Sequence, residues 1–222
     1  LIDHAWGIEP TTIADVKAYR PENQSITSGQ VLQEPCDYER TRLIVWEMAD
    51  MLSLDLVDKG LVTNQIVLTV GYDRVSLLSG QYHGEIVSDR YGRQIPKHAH
   101  GTQNLDKHTS STRIMCDATM TLFDRIIDKS LLARRINLVA CNVIREEDIP
   151  ESESYEQLDL FSMEEVTSSE YDDKAFEKER ALQEAMLSIK HRYGKNSVLK
   201  AVNYTEGATA KDRNRQIGGH HA

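Results

Sequence analysis

The sequence contains little cysteine and no apolar run long enough to cross a membrane. Its three cysteines, Cys36, Cys116 and Cys141, lie far apart and form no CxxC pair. An odd number of widely separated cysteines argues against a disulfide framework and favours a reducing compartment. A membrane span needs about 20 consecutive apolar residues, and no signal-peptide pattern is present. We therefore expect a cytoplasmic chain with no membrane partner.

Other absences restrict the chemistry. There is no Gly-rich phosphate loop and no convincing Ser-His-Asp set. His98 and His100 are two residues apart, and His220 and His221 are adjacent. Paired histidines can bind a metal, but no cysteine or carboxylate stands at ligand spacing, so we predict no metal site and no cofactor. An α+β enzyme acting on a small molecule would need convergent polar groups, which the sequence does not show.

Charge is distributed very unevenly. The net charge is −9: residues 1–19 carry −2, residues 20–145 are neutral, residues 146–180 carry −11 and residues 181–222 carry +4. A neutral domain can still have a basic face, so the acidic total does not exclude nucleic acid as a partner.

Hydrophobic periodicity predicts two helices in the neutral segment. The first covers residues 40–58, begins after an N-cap at Asp37 and ends at Lys59–Gly60. The second covers about 112–129 and is capped by Ser110 or Ser111. Their apolar faces are formed by Val45, Met48, Ala49, Leu52 and Leu56, and by Met115, Ala118, Thr119, Leu122 and Ile126. Trp6 and Trp46 are assigned to the core.

Four strands accompany these helices. Residues 29–33, 64–73 and 134–144 alternate or run apolar, residues 74–95 resemble a long hairpin, and residues 96–110 fit its returning edge strand and a loop. The order β-α-β-β-α-β predicts an α+β fold, in which two helices cover one face of a four-stranded antiparallel sheet. The other face is then open to solvent or a ligand.

The chain changes character after residue 145. Residues 146–173 are acidic and Ser-rich, which is typical of a mobile linker. Residues 174–193 predict an amphipathic helix, residues 196–204 a short strand, and the basic end a loose tail. The apolar face of that helix would contain Leu182, Ala185, Met186, Ile189 and Tyr193.

Several stretches resemble one enzyme family, the Y-family translesion DNA polymerases of the DinB/UmuC type. "LIDHAWGIE" resembles the end of their thumb, and "NQSITSGQVL" their tether into the little-finger domain. The β-α-β-β-α-β unit resembles that domain itself. "IKHRYGKNSVLKAVNY" and "EGATAKDRNRQIGGHHA" resemble the tail of the bacterial members.

The resemblance implies a division of the chain into five parts. Residues 1–18 are the end of the thumb, 19–28 the tether, 29–145 the little finger, 146–173 an acidic linker, and 174–222 a C-terminal helix and tail. The parent would be a DNA-directed DNA polymerase whose palm, expected before the first residue, holds two Mg²⁺ ions. No acidic residue here matches the palm carboxylates. We therefore assign no catalytic residue and expect this piece to be inactive alone.

"QLDLF", residues 157–161, matches the pentapeptide Q-L-x-L-F with which bacterial polymerases bind the sliding clamp. The resemblance implies that Leu158, Leu160 and Phe161 enter apolar pockets and that the amide of Gln157 pairs at the rim. Burial of the three apolar side chains contributes roughly 5–9 kcal/mol, and ordering of about five backbone residues costs a similar amount. Binding is then micromolar at best. The alternative is that these side chains pack onto their own domain.

Primer–template DNA is the second expected partner, bound through its phosphates. The candidate contacts lie in the tether and first strand, around the hairpin, and at the start of the last strand: Ser25, Thr27, Ser28, Gln30, Arg74, Arg93, Lys97, Thr102, Arg134 and Arg135. The rival hypothesis is a non-catalytic adaptor, in which a ferredoxin-like module carries the clamp motif and does not touch DNA. Binding of primer–template DNA at low salt discriminates the two.

Overall fold

The computed structural model describes residues 6–7, 10–19, 24–78, 82–150, 165–217 and 220–221, and for 165–173, 217 and 220–221 it describes the backbone alone. The helices are α1 (Ile13–Ala18), α2 (Tyr38–Asp58), α3 (Thr112–Ile126), α4 (Glu165–Tyr193) and α5 (Ala210–Arg213). The strands are β1 (Ile26–Cys36), β2 (Leu61–Tyr72), β3 (Ile86–Ser88), β4 (Gln94–Pro96), β5 (Ala99–Thr109), β6 (Ala133–Cys141), β7 (Ile144–Arg145), β8 (Gln216–Ile217) and β9 (His220–His221). None of the described helices is both long enough and apolar enough to span a bilayer.

The main sheet is antiparallel, with the strand order β1-β6-β2-β5 and the short β7 paired to the start of β2. Helices α2 and α3 both pack on one face of it. The α+β prediction is thereby confirmed.

Local signals fix both ends of α2 and the start of α3 where the sequence placed them, whereas α3 ends at Ile126, three residues before the predicted end. The Asp37 carboxylate accepts a hydrogen bond from the backbone N–H of Arg40 and caps α2. Gly60 ends that helix with φ at +63°, a conformation that glycine adopts without strain. Ser111 caps α3 by accepting from the backbone N–H of Ile114.

The core lies between the helices and the covered face of the sheet. Alternate residues of β2 and β6 are fully buried, as their sequence pattern predicts: Ile66, Leu68, Val70, Ile136, Leu138 and Ala140. They meet Ile44, Met48 and Leu52 from α2 and Met115, Leu122 and Phe123 from α3. Trp46 packs at the margin of this core, whereas Trp6 is 81% exposed, so its assignment to the core was wrong.

The region between β2 and β5 differs from the predicted long hairpin. A one-turn 3₁₀ helix, Arg74–Leu77, forms first, because the Asp73 carboxylate accepts from the backbone N–H of Val75. The hairpin that follows is short and consists of β3 and β4. β5 then runs the full length of the sheet edge.

The C-terminal segment, residues 165–217, packs against α2, the start of α3 and the helix side of β1. α4 begins at Glu165 and so includes residues that the sequence assigned to the linker. Its predicted apolar face is confirmed at Met186, which is buried, and wrong at Leu182 and Tyr193, which are exposed; Gln183, which was not predicted, is buried as well. Polar contacts decide its orientation, since the Gln183 amide donates to the carbonyl of Ser110 and to the hydroxyl of Thr112, at 3.0 and 2.9 Å.

A carboxylate of α2 holds the end of this segment. Glu47 is 1% exposed and accepts from Nδ2 of Asn203 at 2.8 Å and from the backbone N–H groups of Thr209 and Ala210 at 2.8 and 3.1 Å. Asn203 lies in a 3₁₀ turn, Ala201–Tyr204, where the sequence suggested a strand. The segment is therefore docked on α2 and not loose.

Candidate nucleic-acid interface

The uncovered side of the sheet presents the alternate residues that do not enter the core. Cross-strand pairing aligns them in rows across all four strands. We call this surface the open face; it consists of Thr27, Gly29, Val31, Gln65, Val67, Thr69, Gly71, His100, Thr102, Asn104, Arg135, Asn137 and Val139.

The open face is mostly polar and contains no carboxylate. Its amides and hydroxyls form cross-strand pairs, including Nε2 of Gln65 with Oδ1 of Asn104 and Oγ1 of Thr69 with Nδ1 of His100, both at 2.9 Å. The next acidic residue along β5, Asp106, lies between Asn104 and Thr109, in the stretch where the register with β2 shifts. A polyanion therefore meets no like charge within the open face.

The two arginines that enter β6 have different surroundings. Arg135 is exposed on the open face, paired in register with Val31 and Gly71, and has no polar partner among the described residues. The Arg134 guanidinium donates to the carbonyl of Gln33 at 2.8 Å and lies 3.7 Å from the Asp73 carboxylate. Arg135 is thus the cation that the open face offers.

The hairpin cations are exposed but mostly paired. Arg93 donates to the carboxylate of Asp89 at 2.7 Å, and Lys97 donates to that of Glu85 at 2.6 Å. Arg74 is exposed in the 3₁₀ turn.

Thr102 belongs to the open face. Its side chain is exposed there, while its carbonyl accepts from Arg125 at 2.8 Å.

The predicted residues of the tether and first strand divide between two sides. Ser25 and Thr27 are exposed. Ser28 and Gln30 point instead toward the C-terminal segment, because neighbouring residues of a strand face opposite sides. The hydroxyl of Ser28 accepts from Arg213 at 2.7 Å, and Nε2 of Gln30 donates to the hydroxyl of Thr209 at 3.2 Å.

The Arg213 guanidinium, which donates to Ser28, is largely buried. Burial lowers its pKa, with the carboxylates of Glu47 and Asp55 opposing the shift. It connects α5 to the edge strand and fixes which side of β1 the C-terminal segment covers.

Sequence reasoning overlooked the polar residues at the centre of the open face, Thr69 and Asn137. The signal was present, since both alternate with the buried residues of their strands. The candidates were taken from the tether and first strand, the hairpin and the start of the last strand, and these regions do not include Thr69 and Asn137.

Two further predictions concern ligands and partners. Residues 157–161, the predicted clamp motif, lie outside the described residues. Among those that are described, no group of three His, Cys, Asp or Glu side chains is placed to hold a metal ion.

The structure is that of an α+β domain in which helices cover one face of an antiparallel sheet. The other face is uncovered and contains no carboxylate. Residues 23–160 match the model of the impB/mucB/samB family C-terminal domain. The match covers more than half of the chain, so the chain belongs to this family and contains the C-terminal region of a Y-family DNA polymerase. A search of curated protein sequences found no significant match.

Proposed function

We propose that this chain is the little-finger region of a translesion DNA polymerase and that its open face grips primer–template duplex by the phosphates. The observation that carries the proposal is the open face itself: four aligned strands with mostly polar side chains, no carboxylate, and an Arg135 for which the described part of the chain supplies no polar partner. The family match supports a polymerase parent.

The chemistry of the open face suits phosphate contacts that ignore sequence. Hydroxyl and amide groups, such as those of Thr27 and Asn137, donate hydrogen bonds to phosphate oxygens whatever the base. Gly29 and Gly71 lack side chains, so a sugar–phosphate strand can come close to the backbone there. Because the open face offers few free cations, we expect a moderate affinity for DNA that depends on shape complementarity as much as on charge.

We assign catalysis to the palm of the polymerase and not to this chain. In polymerases of this type the palm supplies the carboxylates that hold two Mg²⁺ ions, which would activate the primer hydroxyl and stabilise the pyrophosphate. No residue of this chain is given that role, and the chain alone should not extend a primer.

The two neighbouring arginines provide a matched test of the grip. Arg135→Ala should weaken primer–template binding and lower the slope of log K against log salt by about 0.9, the value expected for one lost phosphate contact. Arg134→Ala should leave that slope unchanged, because Arg134 already pairs with Gln33 and Asp73. Fluorescence anisotropy over a salt series measures both.

Two outcomes would contradict the proposal. Equal effects of the two substitutions would place the contact away from the open face. Failure of the unmodified chain to bind primer–template DNA at low salt would favour the adaptor hypothesis.

We also propose that the chain is tethered to a bacterial sliding clamp through Gln157, Leu158, Leu160 and Phe161. The support is the match of the sequence to the clamp-binding pentapeptide and its position in an acidic stretch that DNA repels. Leu160→Ala combined with Phe161→Ala should abolish micromolar binding in surface plasmon resonance, because it removes roughly 3–6 kcal/mol of apolar burial. Asp159→Ala is the control and should bind normally. Retained binding by the double variant would refute this assignment.

A further inference from the structure

The tip of the β3–β4 hairpin is a rigid turn organised by a single carboxylate. Oδ1 of Asp89 accepts from the backbone N–H groups of Tyr91 and Arg93 at 2.8 and 2.9 Å, and Oδ2 accepts from Nε of Arg93 at 2.7 Å. The carbonyl of Asp89 accepts from the N–H of Gly92, whose φ of +76° closes the turn. The residues at the tip are therefore held in one arrangement.

This turn presents an aromatic ring to solvent between two arginines. Tyr91 is 77% exposed. The Arg93 guanidinium lies 5.1 Å from the ring centroid, so it covers part of one face and leaves the rest of the ring accessible. Arg90 is exposed and has no polar partner among the described residues. Because Asp89 is paired with Arg93, the tip carries net positive charge.

The hairpin projects from the end of the sheet where Arg135 lies. β4 leads into β5 after two residues, and the first residue of β5, Ala99, pairs with Val70. The next residue of β2, Gly71, is the partner of Arg135. A duplex lying along the open face would therefore reach the hairpin at this end.

We infer that the hairpin tip is a stacking site for an unpaired nucleobase, with Tyr91 against the base and Arg90 against a neighbouring phosphate. Exposed aromatic rings flanked by cations bind single-stranded nucleic acid in this way, because every base has a π-face. The inference rests on the proposed DNA-binding function and adds a specific ligand to it: the single-stranded template overhang beside the primer–template junction.

The test compares two DNA ligands, a primer–template with a short single-stranded overhang and a blunt duplex of the same paired length. Tyr91→Ala should weaken binding of the overhang ligand about fivefold or more and leave blunt-duplex binding unchanged. Tyr91→Phe keeps the ring and should restore overhang binding. Tyr204→Ala is the control. Tyr204 is also exposed and lies near a cation, Lys211, but it belongs to the C-terminal segment.

A direct readout comes from Tyr91→Trp, whose added emission should be quenched by the overhang ligand, while that of Tyr204→Trp should not. If the chain binds both DNA ligands and Tyr91→Ala changes neither or both equally, the stacking site is refuted and the grip of the open face stands. If Tyr91→Ala weakens only clamp binding, the tip is a protein contact and the inference fails. If the unmodified chain binds no DNA, both proposals fail.

Discussion

The buried Glu47 provides the sharpest test of how the C-terminal segment is attached. Glu47→Ala leaves Nδ2 of Asn203 and the N–H groups of Thr209 and Ala210 without their acceptor. Each buried donor left unsatisfied costs about 1–3 kcal/mol. Removal of a buried carboxylate recovers part of that cost. We expect the docked state to lose about 3 kcal/mol, while the core between sheet and helices stays folded.

Hydrogen exchange measures this loss locally. About 3 kcal/mol corresponds to a roughly hundredfold faster exchange of the amides of Thr209 and Ala210, with β2 and β6 unaffected. Glu184→Ala is the control, because that carboxylate lies on the exposed side of α4 and, among the described residues, pairs with Arg180 alone. Unchanged protection of Thr209 and Ala210 in Glu47→Ala would refute the assigned role of this carboxylate.

Two other predictions follow from packing and burial. Gly101→Ala should lower the free energy of unfolding by about 1–3 kcal/mol in urea titrations, because its Cβ would lie 2.8 Å from Cγ2 of Ile126 and 2.9 Å from Cδ1 of Leu122; an unchanged midpoint would contradict it. Burial raises the pKa of the Cys116 thiol to about 12, so a thiol reagent at mildly alkaline pH should label Cys141 before Cys116. Equal labelling rates of Cys141 and Cys116 would contradict the burial of Cys116. The raised pKa also makes the free energy of unfolding fall above about pH 9, because there the Cys116 thiol ionises only in the unfolded chain.

The sequence was sufficient where local chemistry decides the structure. The cap at Asp37, the stop at Gly60 and the alternation through Ile66, Leu68 and Val70 each act within a few residues. Their order along the chain then predicts the sheet and the side that its helices cover.

It was insufficient where distant polar groups decide. The orientation of α4 depends on Gln183 meeting Ser110, and an apolar pattern cannot show that contact. Ser28 and Gln30 were selected as DNA contacts by residue type, but the C-terminal segment occupies their side chains. The open face could not be predicted without the register of the four strands, which brings Thr69 beside Asn137 from distant parts of the sequence.

The most direct test of the central claim is methyl chemical-shift mapping with primer–template DNA. Val31, Val67 and Val139 lie on three different strands of the open face, whereas Met186 lies in the C-terminal segment. The open-face account predicts that the signals of the three valines shift together on titration and that the signal of Met186 does not. Shifts confined to Met186 and its neighbours, with the valines unmoved, would contradict it.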